Sequence, residues 1–416
     1  MNVLAVRNRK VKSLSIGIFL IATLLGSCGS SSGSDETPNS SIDVSETATS
    51  DAPATAPDPV AEGIASAQAE LDKYSAEPAA FEAQGDPVTG DIASLKGGVA
   101  WYIPIAYQFA PVFALYEYGF QQAFGKLGMT VRTCDAAGDP TIGANCVNDA
   151  VSSGAKVIIT GAITYEFAPN AFDAATAAGI PIVRHSSGYP SESGDTGPYK
   201  KGEAYAGYIG SKALALVADW MIVDSKGTAN VLAVRISDTD WTKGAMTNGA
   251  VAEFEKYCPN CVVNVVDSAT AQTGERPSVV AGALAANPDT NYILPAYEST
   301  VEPSGALEGA TSVGMQDKLK AGMATGTGPG LQRIVDGKFV YVNVLPNTYQ
   351  EAWATTDQAV RLLMGHEPVK DPLVQLRVFT SENVKGIDIS KEAFQKSTMF
   401  GPNTFEAVYE KLWGVK

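Results

Sequence analysis

Four of the five cysteines, two histidines and a scatter of carboxylates and aromatic rings are the groups whose types and spacing could do chemistry in this chain. Cys134 and Cys146 stand twelve apart across a segment containing Gly and Pro, and Cys258 and Cys261 enclose Pro259-Asn260. In an oxidising compartment an even set reads as two disulfides, and because short loops close readily the expected pairs are Cys134 with Cys146 and Cys258 with Cys261. A Cys-x-x-Cys redox centre or a four-thiolate zinc site are the alternatives. Asp240 and Glu298 are the carboxylates that a glycoside-cleaving pair would use. No nucleophile elbow, metal cluster or paired-carboxylate motif accompanies them. Apart from His185 the only histidine is His366, in a Gly-His-Glu-Pro loop, so neither a metal site nor a cofactor is expected.

Cys28 has a different chemistry. Arg7, Arg9, Lys10 and Lys12 precede an apolar run from Ile16 to Leu25 that is short of the ~20 residues a spanning helix needs, so residues 1–28 read as a signal peptide. Leu25-Gly26-Ser27-Cys28 has the form of a lipobox, in which the thiol takes diacylglycerol and the bond before it is cut. Cys28 is then the first mature residue and a lipid anchor to the cell membrane. Residues 29–58 hold Ser, Thr, Asp, Pro, Gly and Ala with few large apolar side chains, too little to offset chain entropy, and read as a disordered tether. No later apolar run reaches spanning length. The formal charge is −15, and loss of the four leader cations takes it to −19 with no basic cluster, which excludes nucleic acid as a partner.

The elements that must position these groups alternate. Helical spacing of Ile64, Ala67 and Leu71 predicts an amphipathic helix from Val60 to Tyr74, and residues 59–95 form this helix and a connecting segment. Strands are expected at Val99–Ile103, Met129–Thr133, Val157–Thr160 and Ile180–Val183, with helices at Val112–Leu127 and Pro169–Ala178 between them. The pattern repeats with a long helix Tyr205–Val223, a strand Ala229–Ile236, a helix Thr242–Tyr257, a strand Val262–Val266, a helix Ser278–Ala286 and a strand Tyr292–Pro295. A helix candidate Ser304–Gly314, a strand Tyr341–Leu345 and a helix Tyr349–Met364 follow. Strands separated by helices imply right-handed crossovers and parallel sheets. About 320 residues with two such runs exceed what one core comfortably serves, so two α/β lobes are expected.

Gly119-Phe-Gln-Gln-Ala-Phe-Gly-Lys-Leu-Gly128, Ala178-Gly-Ile-Pro-Ile-Val183, Thr247-Asn-Gly-Ala-Val-Ala-Glu-Phe254 and Gln332-Arg-Ile-Val-Asp-Gly337 fall in the order and spacing of the type I periplasmic binding proteins of the ribose-binding branch. The resemblance covers roughly residues 96 to 400. It implies two doubly wound parallel-sheet lobes joined by three crossovers near residues 188, 345 and 372. The N-terminal lobe is then 96–188 plus 345–372, the C-terminal lobe 189–344 plus 373–400, and 401–416 a tail. It also implies a monomer that closes on one small ligand and delivers it to the permease subunits of an ABC importer.

In doubly wound sheets ligands sit beyond the carboxyl ends of the strands, so the loops there supply the candidates. After the first strand come Tyr107, Gln108 and Phe109, where the resemblance places groups that stack on a sugar and bond its hydroxyls. Thr160 and Tyr165 follow the Ile158 strand, and His185 and Ser186 follow Val183, where sugar-binding relatives usually carry Asp. Asp238, Asp240 and Trp241 offer carboxylates and a stacking wall in the second lobe. The relatives' Arg is Met246 here. Tyr297 and Glu298 follow the Leu294 strand, and Thr327 and Asn343 the next two strand positions. The expected function is an extracytoplasmic receptor for a sugar or polyol, not an enzyme. The alternatives are a ligand-binding sensor for a signalling partner, or an extracellular glycoside-acting enzyme using Asp240 and Glu298.

Overall fold

A strand buried on both faces reads as a continuous apolar run, and β1, Val99–Pro104, is such a strand. The computed structural model describes residues 4–5, 58–187, 201–269 and 274–415, apart from 83, 109, 239 and 304. Helix α1 (Pro59–Ser75) precedes β1; then come α2 (Val112–Lys126), β2 (Thr130–Thr133), α3 (Pro140–Ser152), β3 (Val157–Gly161), α4 (Pro169–Ala177), β4 (Ile182–His185) and β5 (Glu203–Ala206). The strands order as β2-β1-β3-β4-β5, all parallel. Alternation along the strands sends Trp101, Ile103 and Ile158 to a core with α3 and α4, and Tyr102, Ile159 and Val183 to the opposite face.

The second sheet is built from β6 (Asn230–Ile236), β7 (Val262–Ser268), β8 (Tyr292–Leu294), β9 (Lys320–Ala324), β10 (Val340–Pro346) and β11 (Leu376–Thr380). Their order is β7-β6-β8-β9-β10-β11, parallel except for β11 against β10, and Leu4–Ala5 pairs antiparallel outside β7. Its helices are α5 (Gly210–Asp224), α6 (Asp240–Gly244) continuing through a π-turn (Ala245–Val251) into α7 (Ala252–Tyr257), then α8 (Arg276–Ala286), α9 (Glu298–Val301), α10 (Ala306–Ser312) and α11 (Gly328–Asp336). Gly249 is required in the π-turn because a Cβ there would stand 2.3 Å from the Ser211 carbonyl oxygen of α5. The two α/β lobes of the sequence analysis are therefore present.

The first of the chain's passages between lobes differs from expectation. The strand β5 still pairs with β4, so the first sheet continues past residue 188, where the lobe boundary was expected, and the crossing lies between Ala206 and Gly210. The physical reason is a buried ion pair: the Arg184 guanidinium on β4 donates to Glu203 on β5 at 3.0 and 3.3 Å, both side chains almost fully buried. For the same reason the long helix expected at Tyr205–Val223 begins only at Gly210. The chain returns at Pro346, where α12 (Thr348–Leu363) packs on α2, and crosses again into β11. It then passes back once more, since α13 (Lys391–Gln395) contacts α2 and α14 (Phe405–Trp413) contacts α12.

Three further expectations are corrected. The segment between Cys134 and Cys146 is not all loop: Asp139 caps α3 by accepting from the Thr141 and Ile142 N–H groups, with Pro140 at the first helical position. The tail expected over 401–416 contains a packed helix, Phe405–Trp413, whose Phe405, Tyr409 and Trp413, four apart, are buried, with Trp413 stacked on Trp353 at 5.6 Å. The third was that Asn343 follows a strand, whereas it lies within β10. Both disulfides form as expected, Cys134 to Cys146 and Cys258 to Cys261, the latter closing the turn at the end of α7. The signal peptide apart from Leu4–Ala5, Cys28 and the tether apart from Asp58, which caps α1 by accepting from the Val60 N–H, lie outside the described residues. No described helix is long and apolar enough to cross a membrane.

Candidate functional site

A cleft of ≈ 210 Å³ opens at the carboxyl ends of both sheets, the position sheet geometry assigns to a ligand. The loop after β1 supplies Ile105, Gln108, Ala110 and Pro111, and the first turns of α2 supply Val112, Phe113 and Tyr116. Ala162 follows β3 and Ser186 follows β4. Tyr208, on the crossing, donates or accepts at 2.5 Å with Thr325 of the second lobe, so the crossing segment is tied across the cleft. Ile236, Thr242, Arg276, Tyr297, Glu298, Ser299, Thr300 and Pro303 complete the second-lobe wall.

Three of the lining residues, Ala162, Ser186 and Thr325, have left-handed backbones with φ of 56°, 49° and 57°. None is glycine, so each conformation costs on the order of 1 kcal/mol or more. Each directly follows the last residue of a strand, β3, β4 or β9. Such conformations persist where surrounding packing holds them, and here they aim loop groups at the cleft.

Beneath Tyr116 and Ser186 lies a buried polar network. Glu351 on α12 is fully buried; its Oε2 lies 2.9 Å from the Tyr116 hydroxyl and its Oε1 2.7 Å from Ser186 Oγ. Burial pushes its carboxyl up to about 8, against the opposing hydrogen bonds from Ser186, Tyr116 and the Tyr208 backbone. His185 Nδ1 is 2.9 Å from Thr355 Oγ1, and Nε2 is 3.3 Å from Ser186 Oγ. Thr355 Oγ1 already donates to the Glu351 carbonyl oxygen at 2.8 Å, so it accepts from Nδ1–H and leaves Nε2 as an acceptor. Burial drives the His185 imidazole down to about 3. Nδ1 stands 3.8 Å from Glu351, but with both groups stripped of solvent the neutral pair is the state the surroundings favour, rather than an ion pair. A protonated Glu351 gives its hydrogen to Ser186, which frees the Ser186 hydrogen for His185 Nε2 and satisfies every member.

On the opposite wall Arg276 is 2% exposed, with Nε donating to Ser268 Oγ at 3.0 Å and a terminal nitrogen 3.5 Å from the Ser299 carbonyl oxygen. Burial lowers its pKa and the charge of Asp238 works the other way. Glu298 accepts the Thr327 N–H at 2.7 Å, and burial raises its pKa. Behind it Asn343 is fully buried with neither amide atom hydrogen-bonded among the described residues, and a Cβ at Gly326 would stand 1.8 Å from its Nδ2. Glycine at 326 is what lets the loop close over that amide.

Of the sequence candidates, Gln108, Ser186, Tyr297 and Glu298 line the cleft. Tyr107 does not; its hydroxyl donates to Glu117 at 2.5 Å. Thr160 is buried and donates to the Ile163 carbonyl, Tyr165 bonds Asp173, and His185 is a core residue against Tyr116 and Phe120. Asp238 is exposed, Thr327 backs Glu298, and Asn343 lies under the Gly326 loop. Phe109 and the side chains of Asp240 and Trp241 lie outside the described residues. Met246 is buried in the second-lobe core. Arg276, Tyr116, Tyr208, Thr242 and Glu351 were missed. Arg276 was findable, since it opens α8, the helix that follows the carboxyl end of β7, a position of the kind that yielded Glu298 at the start of α9. Glu351 was not: nothing in its helical surroundings marks it as the one carboxyl turned under a cleft.

A family profile described as "Periplasmic binding protein domain" matches residues 102–367. No curated protein matches the sequence. Among solved structures, the 5-methylthioribose transporter solute binding protein of Thermotoga lettingae TMO superposes with a TM-score of 0.62 at 16% identity, covering 77% of this chain and 98% of its own. A sugar ABC transporter structure from Yersinia enterocolitica gives 0.60 at 15%, covering 80% and 100%. The Caulobacter myo-inositol binding protein gives 0.58 at 18%, covering 72% and 97%. At these identities the likeness is one of fold.

Proposed function

This chain belongs to the periplasmic binding protein domain family, and from that premise we propose that it captures a small polar ligand, a sugar or polyol, in the inter-lobe cleft and delivers it to the permease subunits of an ABC importer. The observation that carries the reading is the cleft itself: it lies beyond the carboxyl ends of the parallel strands of both sheets and draws lining groups from both lobes. The polyhydroxylated ligands named for the similar structures, 5-methylthioribose and myo-inositol, set the size and chemistry to test first. The ligand is bound and released unchanged. Lipid on Cys28 and the tether behind it hold the monomeric body at the membrane surface.

A thermal-shift screen of the mature chain against pentoses, hexoses, their derivatives and cyclitols tests this. A ligand at a hundred times its dissociation constant adds ~2.7 kcal/mol of stability. Stabilisation by one or a few compounds, recovered chemically intact, is the expected result. No stabilisation by any of them, or conversion of the bound compound, would sink the reading.

A further inference from the structure

The two walls of the cleft are chemically unlike. On the first-lobe side Ile105, Ala110, Pro111, Val112, Phe113 and Ala162 make the lining apolar. The hydroxyls set among them, Tyr116 and Ser186, are engaged with Glu351, and Gln108 is exposed. On the second-lobe side Ile236 and Pro303 are apolar, and Arg276 and Glu298 stand beside the hydroxyls of Thr242 and Thr300. A guanidinium has five N–H donors, and the bonds to Ser268 and Ser299 leave others for a ligand oxygen. Glu298 receives backbone N–H groups from Thr327 and Gly330, and a carboxylate with about four lone-pair sites still accepts from a ligand hydroxyl.

From this asymmetry we propose that the ligand is an amphipathic sugar derivative. Adjacent hydroxyls on one edge meet Arg276 and Glu298, one accepting and one donating, and an alkyl, thioalkyl or aryl substituent lies against the Val112 and Phe113 wall. The proposal rests on the sugar-binding reading above and narrows it. A sugar with hydroxyls on every edge would bury some of them against that wall without partners, each weakening binding on the order of tenfold. A substituent gains roughly fourfold for each CH₂ buried there. The charge of Asp238 already acts on the Arg276 guanidinium, so the wall calls for a neutral ligand.

The test is calorimetric titration of the full-length chain with matched pairs: D-ribose and 5-deoxy-D-ribose, D-glucose and phenyl β-D-glucopyranoside, D-galactose and phenyl β-D-galactopyranoside. The substituted member is expected to bind at least tenfold more tightly in one pair. That preference should shrink towards one in Val112→Thr, which keeps the side-chain shape but adds a hydroxyl, with circular dichroism confirming the fold. Parent sugars that bind as tightly as, or more tightly than, their derivatives overturn the proposal and leave the sugar reading standing. A preference unchanged in Val112→Thr also overturns it. Failure of every pair to bind the folded chain overturns both.

Discussion

Glu351 and His185 sit 3.8 Å apart in full burial and are displaced in opposite directions from their ordinary values. For Glu351 the folded value, about 8, lies above the 4.5 of an exposed carboxyl, so its stabilising share is complete below about pH 4.5 and is lost as pH rises through 8. For His185 the folded value, about 3, lies below 6.5, so its share is present above pH 6.5 and is lost as pH falls towards 3. Between 4.5 and 6.5 the two slopes cancel. Between pH 6.5 and 8 the Glu351 slope is no longer opposed by His185 and is worth about 2 kcal/mol of unfolding free energy, in addition to the loss of the same sign from Asp219, which burial also raises to about 8. Glu351→Gln keeps a neutral hydrogen-bonding group, and urea unfolding at both pH values should show the loss reduced by the Glu351 share, about 2 kcal/mol, with the Asp219 share left. An equal slope in wild type and mutant would mean that the carboxyl is ionised in the fold.

At the scale of elements, α1 is a helix added before the two-lobe fold. Its Ala67 and Leu71 pack into the second-lobe core, against α5 and α7, and Lys212 on α5 pairs with Glu70. The chain then runs to the first lobe, where Phe81 packs on Phe405 and Tyr409 and the Val88 N–H donates to the Leu412 carbonyl. On the way the Ser75 carbonyl accepts from Arg377 and Asn383, beside the passage into β11. The segment therefore straps both lobes. A surface ion pair such as Lys212 with Glu70 adds little, so the strap is held by its apolar face. Leu71→Ala should cost about 2–5 kcal/mol, read as a lower denaturation midpoint. A loss under about 0.5 kcal/mol would show α1 to be outside the cooperative unit.

At the scale of the whole molecule, ligand groups come from both walls, so closure lowers the free energy only when a ligand touches both. Saturation with a compound from the screen should reduce the radius of gyration in solution scattering. Arg276→Gln, which removes the guanidinium at the centre of the second-lobe wall, should weaken binding on the order of 10- to 150-fold and move the compaction to higher ligand concentration. An unchanged radius at saturation would mean that the lobes do not close, and full affinity in the variant would mean that Arg276 does not touch the ligand.

Local signals were enough for much of this protein. Continuous apolar runs marked β1, β3, β6 and β10, helix spacing marked α1, α2 and α12, and short Cys spacings marked both disulfides, because each depends on neighbours in sequence. The alternation of strand and helix then determined two parallel-sheet lobes and placed the cleft at the carboxyl strand ends, which yielded Gln108, Ser186, Tyr297 and Glu298. What the tertiary structure alone decided are the matters that rest on partners far along the chain. The β5 strand exists because Glu203 meets a buried Arg184, and the tail is a core helix because Trp413 finds Trp353. Tyr107 is turned aside by Glu117, His185 is enclosed by Tyr116 and Phe120, and Glu351 is brought under the cleft from 165 residues beyond Ser186. A strand end says which residues can face a ligand. Which of them do is decided by the long-range packing that takes up or leaves open each polar group.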